Sequence, residues 1–192
     1  MGREFELKYA ATEDILTALM SQFGPGREIR METTYFDTPT HALSAHRMTL
    51  RLRRENEETI CTLKTPLPDG SRGEWECSAE DIESGITSLL ALGAPEELTR
   101  FTAAGVVPVC GARFTRIAVE LPTADGMAEL ALDKGVLMGG GKEVPLCEVE
   151  VELKSGTEEA LIALAAQLVS AHGLQAETHS KFRRAMALTK GE

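Results

Sequence analysis

Charged and apolar residues alternate along the first stretch of the chain. Charged side chains stand at Glu4, Glu6 and Lys8, and the positions between them are the apolar Phe5 and Leu7. Side chains of a β-strand point alternately to its two faces, so the stretch is predicted to be a strand with one charged and one apolar face. Taken alone, the pattern favours an edge strand whose charges lie in water, because charged residues are usually exposed.

The alternation recurs along most of the chain and predicts a protein rich in β-strands. Glu148, Glu150 and Glu152 repeat the opening pattern, with valines between them. The further predicted strands occupy residues 27–37, 47–55, 59–65, 72–77, 106–121, 127–134 and 145–154. We therefore expect a sheet of many antiparallel strands, in which most strands have one charged face.

Apolar spacing of three and four residues predicts helices between these strands. One helix is expected after Thr12, which suits an N-cap, and the best-defined one spans residues 157–172. Residues at about 79–105 are predicted to form a small helical insertion between two blocks of strands. The chain of 192 residues suits one domain over 1–192, and the fold class is predicted to be α+β.

Charges of one sign tend to occupy the same strand face. The sorted side chains are the basic Lys8, Arg51, Arg53, Lys64 and Arg116, and the acidic Glu4, Glu6, Glu74, Glu76, Asp133, Glu148, Glu150 and Glu152. Like charges two residues apart on one face repel unless something neutralises them. The three glutamates near the C-terminal end therefore need either a cation or facing arginines.

A closed β-barrel would explain where the charged faces point. An antiparallel sheet can close on itself, with helices covering its apolar outer faces and charged faces lining the interior. A charged interior is costly unless it binds something. The ligand that suits such an interior is a polyanion bound by lysine and arginine, together with Mg²⁺ or Mn²⁺ bound by carboxylate oxygens. An open sheet with solvated charges is the alternative that the pattern allows.

The overall charge and the apolar content argue against several classes of function. The formal net charge of −10 argues against nonspecific binding of DNA, because such binding needs a basic surface. The four cysteines show no zinc-ligand spacing and are interpreted as isolated thiols. The sequence has neither a signal-like N-terminus nor a long apolar run, so we expect a cytoplasmic protein without membrane contact.

Several motifs occur in a fixed order over nearly the whole chain. The first is Glu4-x-Glu6-x-Lys8, and a late one is Ser180-Lys181. Between them stand Tyr35-Phe36-Asp37-Thr38, Leu50-Arg51-Leu52-Arg53, Thr62-Leu63-Lys64, Arg72-Gly73-Glu74-Trp75-Glu76, Leu132-Asp133-Lys134-Gly135 and Glu148-Val149-Glu150-Val151-Glu152-Leu153-Lys154. In this order they resemble the CYTH superfamily, the triphosphate tunnel metalloenzymes. The run Ser180-Lys181-Phe182-Arg183-Arg184 resembles the bacterial inorganic triphosphatase branch.

The resemblance implies an eight-stranded antiparallel barrel, with a charged interior and helices outside, that binds a triphosphate and a divalent metal ion. The residues implied to bind the triphosphate are Lys8, Arg51, Arg53, Lys64, Arg116 and Lys181. Those implied to hold or support the metal are Glu4, Glu6, Glu74, Glu76, Asp133, Glu148, Glu150 and Glu152. Lys8, Arg53 and Glu148 are implied to be catalytic. Members of the family often have an aromatic residue shortly after the arginine that corresponds to Arg116. This chain has no aromatic residue there, so the alignment around Arg116 is fixed only to within a few residues.

The resemblance also limits the substrates that are expected. Aromatic residues make up only 5% of the chain, and this mildly favours bare tripolyphosphate over substrates with a ring that stacks. Thiamine triphosphatase and class IV adenylate cyclase, which act on thiamine triphosphate and ATP, are the alternatives within the family. A polyphosphate- or nucleotide-binding module without catalysis is the alternative outside enzymes. A homodimer, and a piece of a longer protein, are both compatible with the sequence.

Overall fold

The computed structural model describes residues 5–67 and 72–190, so the predicted site residue Glu4 lies outside the described part of the chain. Within that part, nine strands form one antiparallel sheet, accompanied by six helices. The strands are β1 (Glu6–Ala10), β2 (Arg27–Asp37), β3 (Thr49–Glu55), β4 (Glu58–Pro66), β5 (Arg72–Ser78), β6 (Val107–Pro122), β7 (Met127–Gly139), β8 (Lys142–Ser155) and β9 (Gln175–Ala176). The helices are α1 (Glu13–Phe23), α2 (Ala42–Ala45), α3 (Ile82–Ala91), α4 (Glu97–Thr102), α5 (Glu158–His172) and α6 (Lys181–Lys190). No helix in these ranges is long and apolar enough to cross a membrane.

Local sequence signals account for several element boundaries. The side-chain oxygen of Thr12 accepts a hydrogen bond from the backbone N–H of Ile15 and so caps α1. Thr157 caps α5 in the same way. Gly140 and Gly141 join β7 to β8 with positive φ angles of 57° and 73°, which glycine adopts at little cost. The segment 79–105 contains α3 and α4.

The sheet is not closed into a barrel, which corrects the prediction that eight strands close on themselves. Its strand order is β5-β4-β3-β2-β6-β7-β8-β1-β9. Closure would require the outer edge of β1 to pair with β5. That edge pairs instead with the ninth strand, through Tyr9–Ala176 and Ala10–Gln175. In the described residues, β5 and β9 therefore end the sheet at opposite edges.

The outer face of the sheet is apolar and lies beneath helices, as predicted. Leu16 of α1 and Leu161 of α5 pack on Val149 and its neighbours in one buried cluster. Leu89 of α3 packs on Leu63 of β4 in a second cluster, to which α4 also contributes. Burial of these side chains is the main favourable contribution to folding, and it leaves the charged strand faces on the opposite side.

Helix α6 packs against the inner face, and this corrects the prediction that the helices lie outside. Ala185 of α6 belongs to a buried cluster with inward-facing apolar residues at one end of the sheet. These residues are Ile29, Met31, Ala112, Phe114, Ala118, Leu137 and Leu146. Because this end of the inner face is apolar, it needs cover as the outer face does, and α6 supplies it.

Candidate active site

A cavity of about 700 Å³ lies on the inner face and is lined by strands β1 to β8 and by α6. Of the described residues that line it, nine are basic and seven are acidic. The whole chain, by contrast, has 20 basic and 30 acidic residues. Because the cavity concentrates cations in an acidic protein, it is the place where an anion is favoured.

Three basic side chains form one wall of the cavity. Arg51 and Arg53 point inward from β3, and Lys64 points inward from β4. The Nζ of Lys64 lies 3.2 Å from Oε1 of Glu74, and a guanidinium nitrogen of Arg51 lies 3.6 Å from Oε1 of Glu76. The Nε atoms of both arginines are buried and have no hydrogen-bond partner in the described structure. These arginines therefore keep donors that their acidic neighbours do not use, and such donors suit phosphate oxygens.

Two cations in this wall lie close enough to affect each other. Burial and the nearby charge of Arg51 lower the pKa of Arg53 below its usual range, against the opposing effect of Glu55. A guanidinium nitrogen of Arg53 donates to Glu55 at 2.9 Å. Because like charges disfavour one another, an anion bound between the arginines would be stabilised by both.

The strand β1 adds a lysine and a carboxylate to the cavity. Lys8 and Glu6 both face inward and form an ion pair with each other. Burial alone would lower the pKa of Lys8, but the Glu6 carboxylate outweighs it and raises that pKa. Glu152 lies opposite Glu6 on β8 and pairs with Lys154 at 2.9 Å.

A trio of buried carboxylates lies beside the basic wall, formed by Asp133 of β7 and by Glu148 and Glu150 of β8. Asp133 and Glu148 are fully buried, and Glu150 is 6% exposed. One oxygen from each lies within 4.8 Å of the others, because Asp133 and Glu148 are direct neighbours across the two strands. Among the described residues, Glu150 lines the cavity, whereas Asp133 and Glu148 lie beneath it.

Among the described residues, three cations form ion pairs with the trio. The guanidinium of Arg116 donates from Nε and Nη2 to the two oxygens of Asp133, at 2.8 Å each, and also bonds to Glu150. The Nζ of Lys181 lies 2.8 Å from Oδ2 of Asp133 and 2.9 Å from Oε1 of Glu150, and it donates to Glu148 as well.

Arg184 is the third cation and was not predicted as a site residue. It donates to Glu148 and lies 3.5 Å from Glu177. Residues three apart lie on the same face of a helix, so Lys181 and Arg184 both reach the trio from α6. This spacing within the basic run was the signal in the sequence that could have identified Arg184.

Burial and charge shift the pKa values within this cluster in opposite directions. Burial raises the pKa of Glu148 to about 7, against the attraction of Lys181 and with the added repulsion of Glu150. Burial would also raise the pKa of Glu150, but Lys181 and Arg116 outweigh it and hold that pKa well below its usual range. Burial would lower the pKa of Lys181, but Glu150, Asp133 and Glu148 outweigh it and raise that pKa. The lysine is therefore a firmly charged ammonium.

The chemistry of the trio fits a divalent metal ion. Its donors are carboxylate oxygens, which Mg²⁺ and Mn²⁺ prefer as ligands. The ammonium of Lys181 contacts all three carboxylates and stands in for a cation. The residues that could hold a metal are therefore Asp133, Glu148 and Glu150.

The structure brings the sequence-predicted residues together. Apart from Glu4, each of them lines the cavity or lies directly beneath it. Glu76 is at the rim, with 49% of its side chain exposed, and Glu74 is more enclosed at 17%. The individual roles of these residues stay predictions. Tyr35, Phe114 and Phe182 also line the cavity and were not predicted to do so.

The comparison with known sequences identifies a family and a relative. The CYTH domain family matches residues 2–186 of this chain. The chain is 27% identical, over 195 residues, to an inorganic triphosphatase of Haemophilus influenzae. The match covers 98% of this chain and 55% of that protein, so the chain spans about half the length of the curated relative.

Solved structures share the fold. A Bacillus halodurans protein, proposed as an adenylate cyclase, superposes with a TM-score of 0.65 at 21% identity, covering 96% of this chain and 98% of that one. A Hippeastrum protein reported to have a dominant triphosphatase activity superposes with a TM-score of 0.65 at 18% identity, covering 98% and 95%. With its motifs, its fold and a family match over nearly its whole length, the chain belongs to the CYTH domain family.

Proposed function

We propose that this chain is a triphosphatase that depends on a divalent metal ion and hydrolyses inorganic tripolyphosphate in the inner cavity. One observation carries the proposal: a basic wall and a buried carboxylate trio meet at a single cavity. The wall suits phosphate oxygens, and the trio suits the metal that accompanies them. Phosphoryl transfer depends mainly on such positioning and charge neutralisation. The similarity to the inorganic triphosphatase of Haemophilus influenzae supports the choice of substrate.

The proposed reaction is hydrolysis of the terminal phosphoanhydride bond. The oxygen of a water molecule forms a bond to the terminal phosphorus, and the bond from that phosphorus to the bridging oxygen breaks. The products are phosphate and diphosphate. Lys8, Arg51 and Arg53 would bind the phosphate oxygens. They would thereby orient the terminal phosphorus for attack and stabilise the charge on the leaving diphosphate. A bound Mg²⁺ or Mn²⁺ would supply charge neutralisation and activation of the water.

Two aromatic residues of the cavity, Tyr35 and Phe114, favour a substrate without a ring. Tyr35 and Phe114 are only 4% and 5% exposed. The ring of Tyr35 packs against Phe182, with 5.1 Å between centroids, and the Nζ of Lys181 lies 5.2 Å from the ring centre of Phe114. Because their faces are already in contact with protein groups, they offer little surface for stacking thiamine or adenine.

A substrate panel tests the proposal. Phosphate release is measured with tripolyphosphate, ATP and thiamine triphosphate, each with Mg²⁺ and with Mn²⁺, and formation of cyclic AMP from ATP is measured in parallel. We expect the highest kcat/KM with tripolyphosphate and no activity when a chelator removes the metal. Higher kcat/KM with ATP, or cyclic AMP as product, would identify a nucleotide enzyme. Activity on none of the substrates would favour the binding module.

Variants test whether the cavity is the place of reaction. Lys8→Ala and Arg53→Ala should each reduce phosphate release by at least about a hundredfold, because each removes a cation that faces the phosphates. Arg54→Ala is the matched control, since Arg54 is the exposed neighbour of Arg53 on the opposite face of β3. Its activity should stay within about twofold of wild type. Normal activity of the Lys8 and Arg53 variants would defeat the assignment.

A further inference from the structure

The ammonium of Lys181 occupies the centre of the carboxylate trio. Its Nζ lies 2.8 Å from Asp133 and 2.9 Å from Glu150, and it also donates to Glu148. The three carboxylate oxygens that could hold a metal lie within 4.8 Å of one another. An ion bound by all three oxygens would have to lie between them, where the ammonium lies in this structure.

The carboxylates of the cluster are already neutralised by cations. In the described part of the chain, the three carboxylates form ion pairs with three cations, which are Lys181, Arg116 and Arg184. A divalent ion added between the carboxylates would lie within a few ångströms of the ammonium, and such charges repel strongly in a buried site. Metal binding by the whole trio therefore requires one of the three cations to move away.

Lys181 is the cation that is best placed to move. Arg116 is fixed by a two-pronged hydrogen bond to Asp133, and Arg184 is held between two carboxylates. Lys181 lies at the first residue of α6 and is one of the residues that line the cavity, so the cavity is the space that its ammonium would enter. Lysine also has a flexible stem and a single charged nitrogen, whereas the guanidinium is held by its planar fork.

We propose that Lys181 is the resident counter-ion of the metal site, and that a divalent metal ion enters the trio by displacing its ammonium into the cavity. The displaced ammonium then faces the space where a triphosphate would bind. Metal binding thus adds a cation for the substrate as well as the ion itself. This inference rests on the metal role in the proposed function, but it concerns binding of the metal alone.

Direct titration with Mn²⁺ in the absence of triphosphate tests the proposal. Free Mn²⁺ is measured by electron paramagnetic resonance for wild type, Lys181→Met and Lys181→Arg. Removal of the competing charge should tighten Mn²⁺ binding by about tenfold or more in Lys181→Met. Lys181→Arg keeps the charge and should show no such gain. Lys134→Met is the control for loss of a lysine, because Lys134 is 58% exposed on the outer face and pairs with Glu13.

A second substitution locates the ion. Adding Glu150→Gln to Lys181→Met should abolish the gain in affinity, because it removes a ligand of the trio. If Lys181→Met binds Mn²⁺ no more tightly than wild type, or if the double variant keeps the gain, the proposal is overturned. Either result is independent of whether the protein hydrolyses tripolyphosphate.

The wild-type protein provides a measurement that does not depend on the folding of Lys181→Met. In protein labelled with ¹⁵N-lysine, the ammonium signal of Lys181 is identified by its loss in Lys181→Arg. Addition of Mg²⁺ should shift this signal or remove it, because the ammonium leaves its carboxylates and exchanges faster with water. A Lys181 signal that does not change as Mg²⁺ saturates the protein would overturn the proposal.

Discussion

The role of Arg116 as a buried counter-ion can be tested by replacing it with methionine. Its guanidinium makes two hydrogen bonds of 2.8 Å to Asp133 and one to Glu150. The side chain of Arg116 is 12% exposed, and those of Asp133 and Glu150 are 0% and 8% exposed. Methionine keeps an apolar stem of similar length but leaves three buried carboxylates with two cations.

The magnitude follows from the burial of these groups. Removing one partner of a buried ion pair leaves an uncompensated charge and costs about 3–5 kcal/mol of unfolding free energy. At an effective dielectric constant near 20, two unit charges about 4 Å apart attract by about 4 kcal/mol, which agrees with that range. For a protein of this size, each kcal/mol lowers Tm by roughly 2–4 °C, so a decrease of roughly 6–20 °C is expected.

Urea denaturation at neutral pH provides the assay. Trp75 is the single tryptophan and is 7% exposed, so its fluorescence reports exposure of the outer core. Arg113→Met is the matched control on the same strand. Arg113 is 60% exposed and lies 3.5 Å from Glu143, which is 54% exposed. An exposed pair of this kind contributes about 0–1 kcal/mol.

A double-mutant cycle completes the test. Arg116→Met with Asp133→Asn should be less destabilised than the sum of the two single variants, because removing both charges leaves less uncompensated charge in the cluster. If Arg116→Met costs no more than Arg113→Met, or if the two substitutions are simply additive, Arg116 does not act as the buried counter-ion of Asp133.

Three further predictions concern α6 and the carboxylate beneath it. Burial raises the pKa of Glu148 to about 7 in the folded protein. The protonated side chain of Glu148 therefore contributes stability that is fully present below pH 4.5 and is lost as pH rises through 7. The loss is on the order of 3 kcal/mol, and urea denaturation should show it in wild type relative to Glu148→Gln. Glu148→Gln should also raise the Mg²⁺ concentration for half-maximal phosphate release, and an unchanged titration would count against a ligand role. A methyl group added at Gly139 would lie 2.3 Å from the carbonyl oxygen of Ala185, so Gly139→Ala should displace α6 and lower both Tm and phosphate release. Wild-type values for that variant would show that α6 is not needed in its observed position.

The alternation of charged and apolar residues was sufficient to predict most of the strands and their two faces. Residues 27–37 were predicted as a strand and form β2 over Arg27–Asp37. The inner face of β3 carries Arg51 and Arg53, as the period of two requires. Predictions of this kind succeed because the direction of a side chain along a strand is set by the local backbone, without reference to distant parts of the chain.

The prediction of a closed barrel was wrong because closure depends on which strand edges pair with each other. The alternation is equally compatible with an open and a closed sheet, since either one gives each strand two distinct faces. The two-residue strand β9 carries no alternating pattern of its own, yet it pairs with β1 at the edge that closure would need. Pairing between strands far apart in sequence is decided by tertiary contacts, and no local period encodes it.

The sequence by itself determined which side chains share a face, and so it determined that acids and bases would line one surface of a sheet. Only the tertiary structure decided how those charges are balanced. Helix α6, at the C-terminal end of the described chain, packs on the inner face and brings Lys181 and Arg184 to carboxylates more than 30 residues away. The physical reason is that the sign of a charge and the face it lies on are local properties, whereas its counter-ion and its burial depend on the packing of the whole chain.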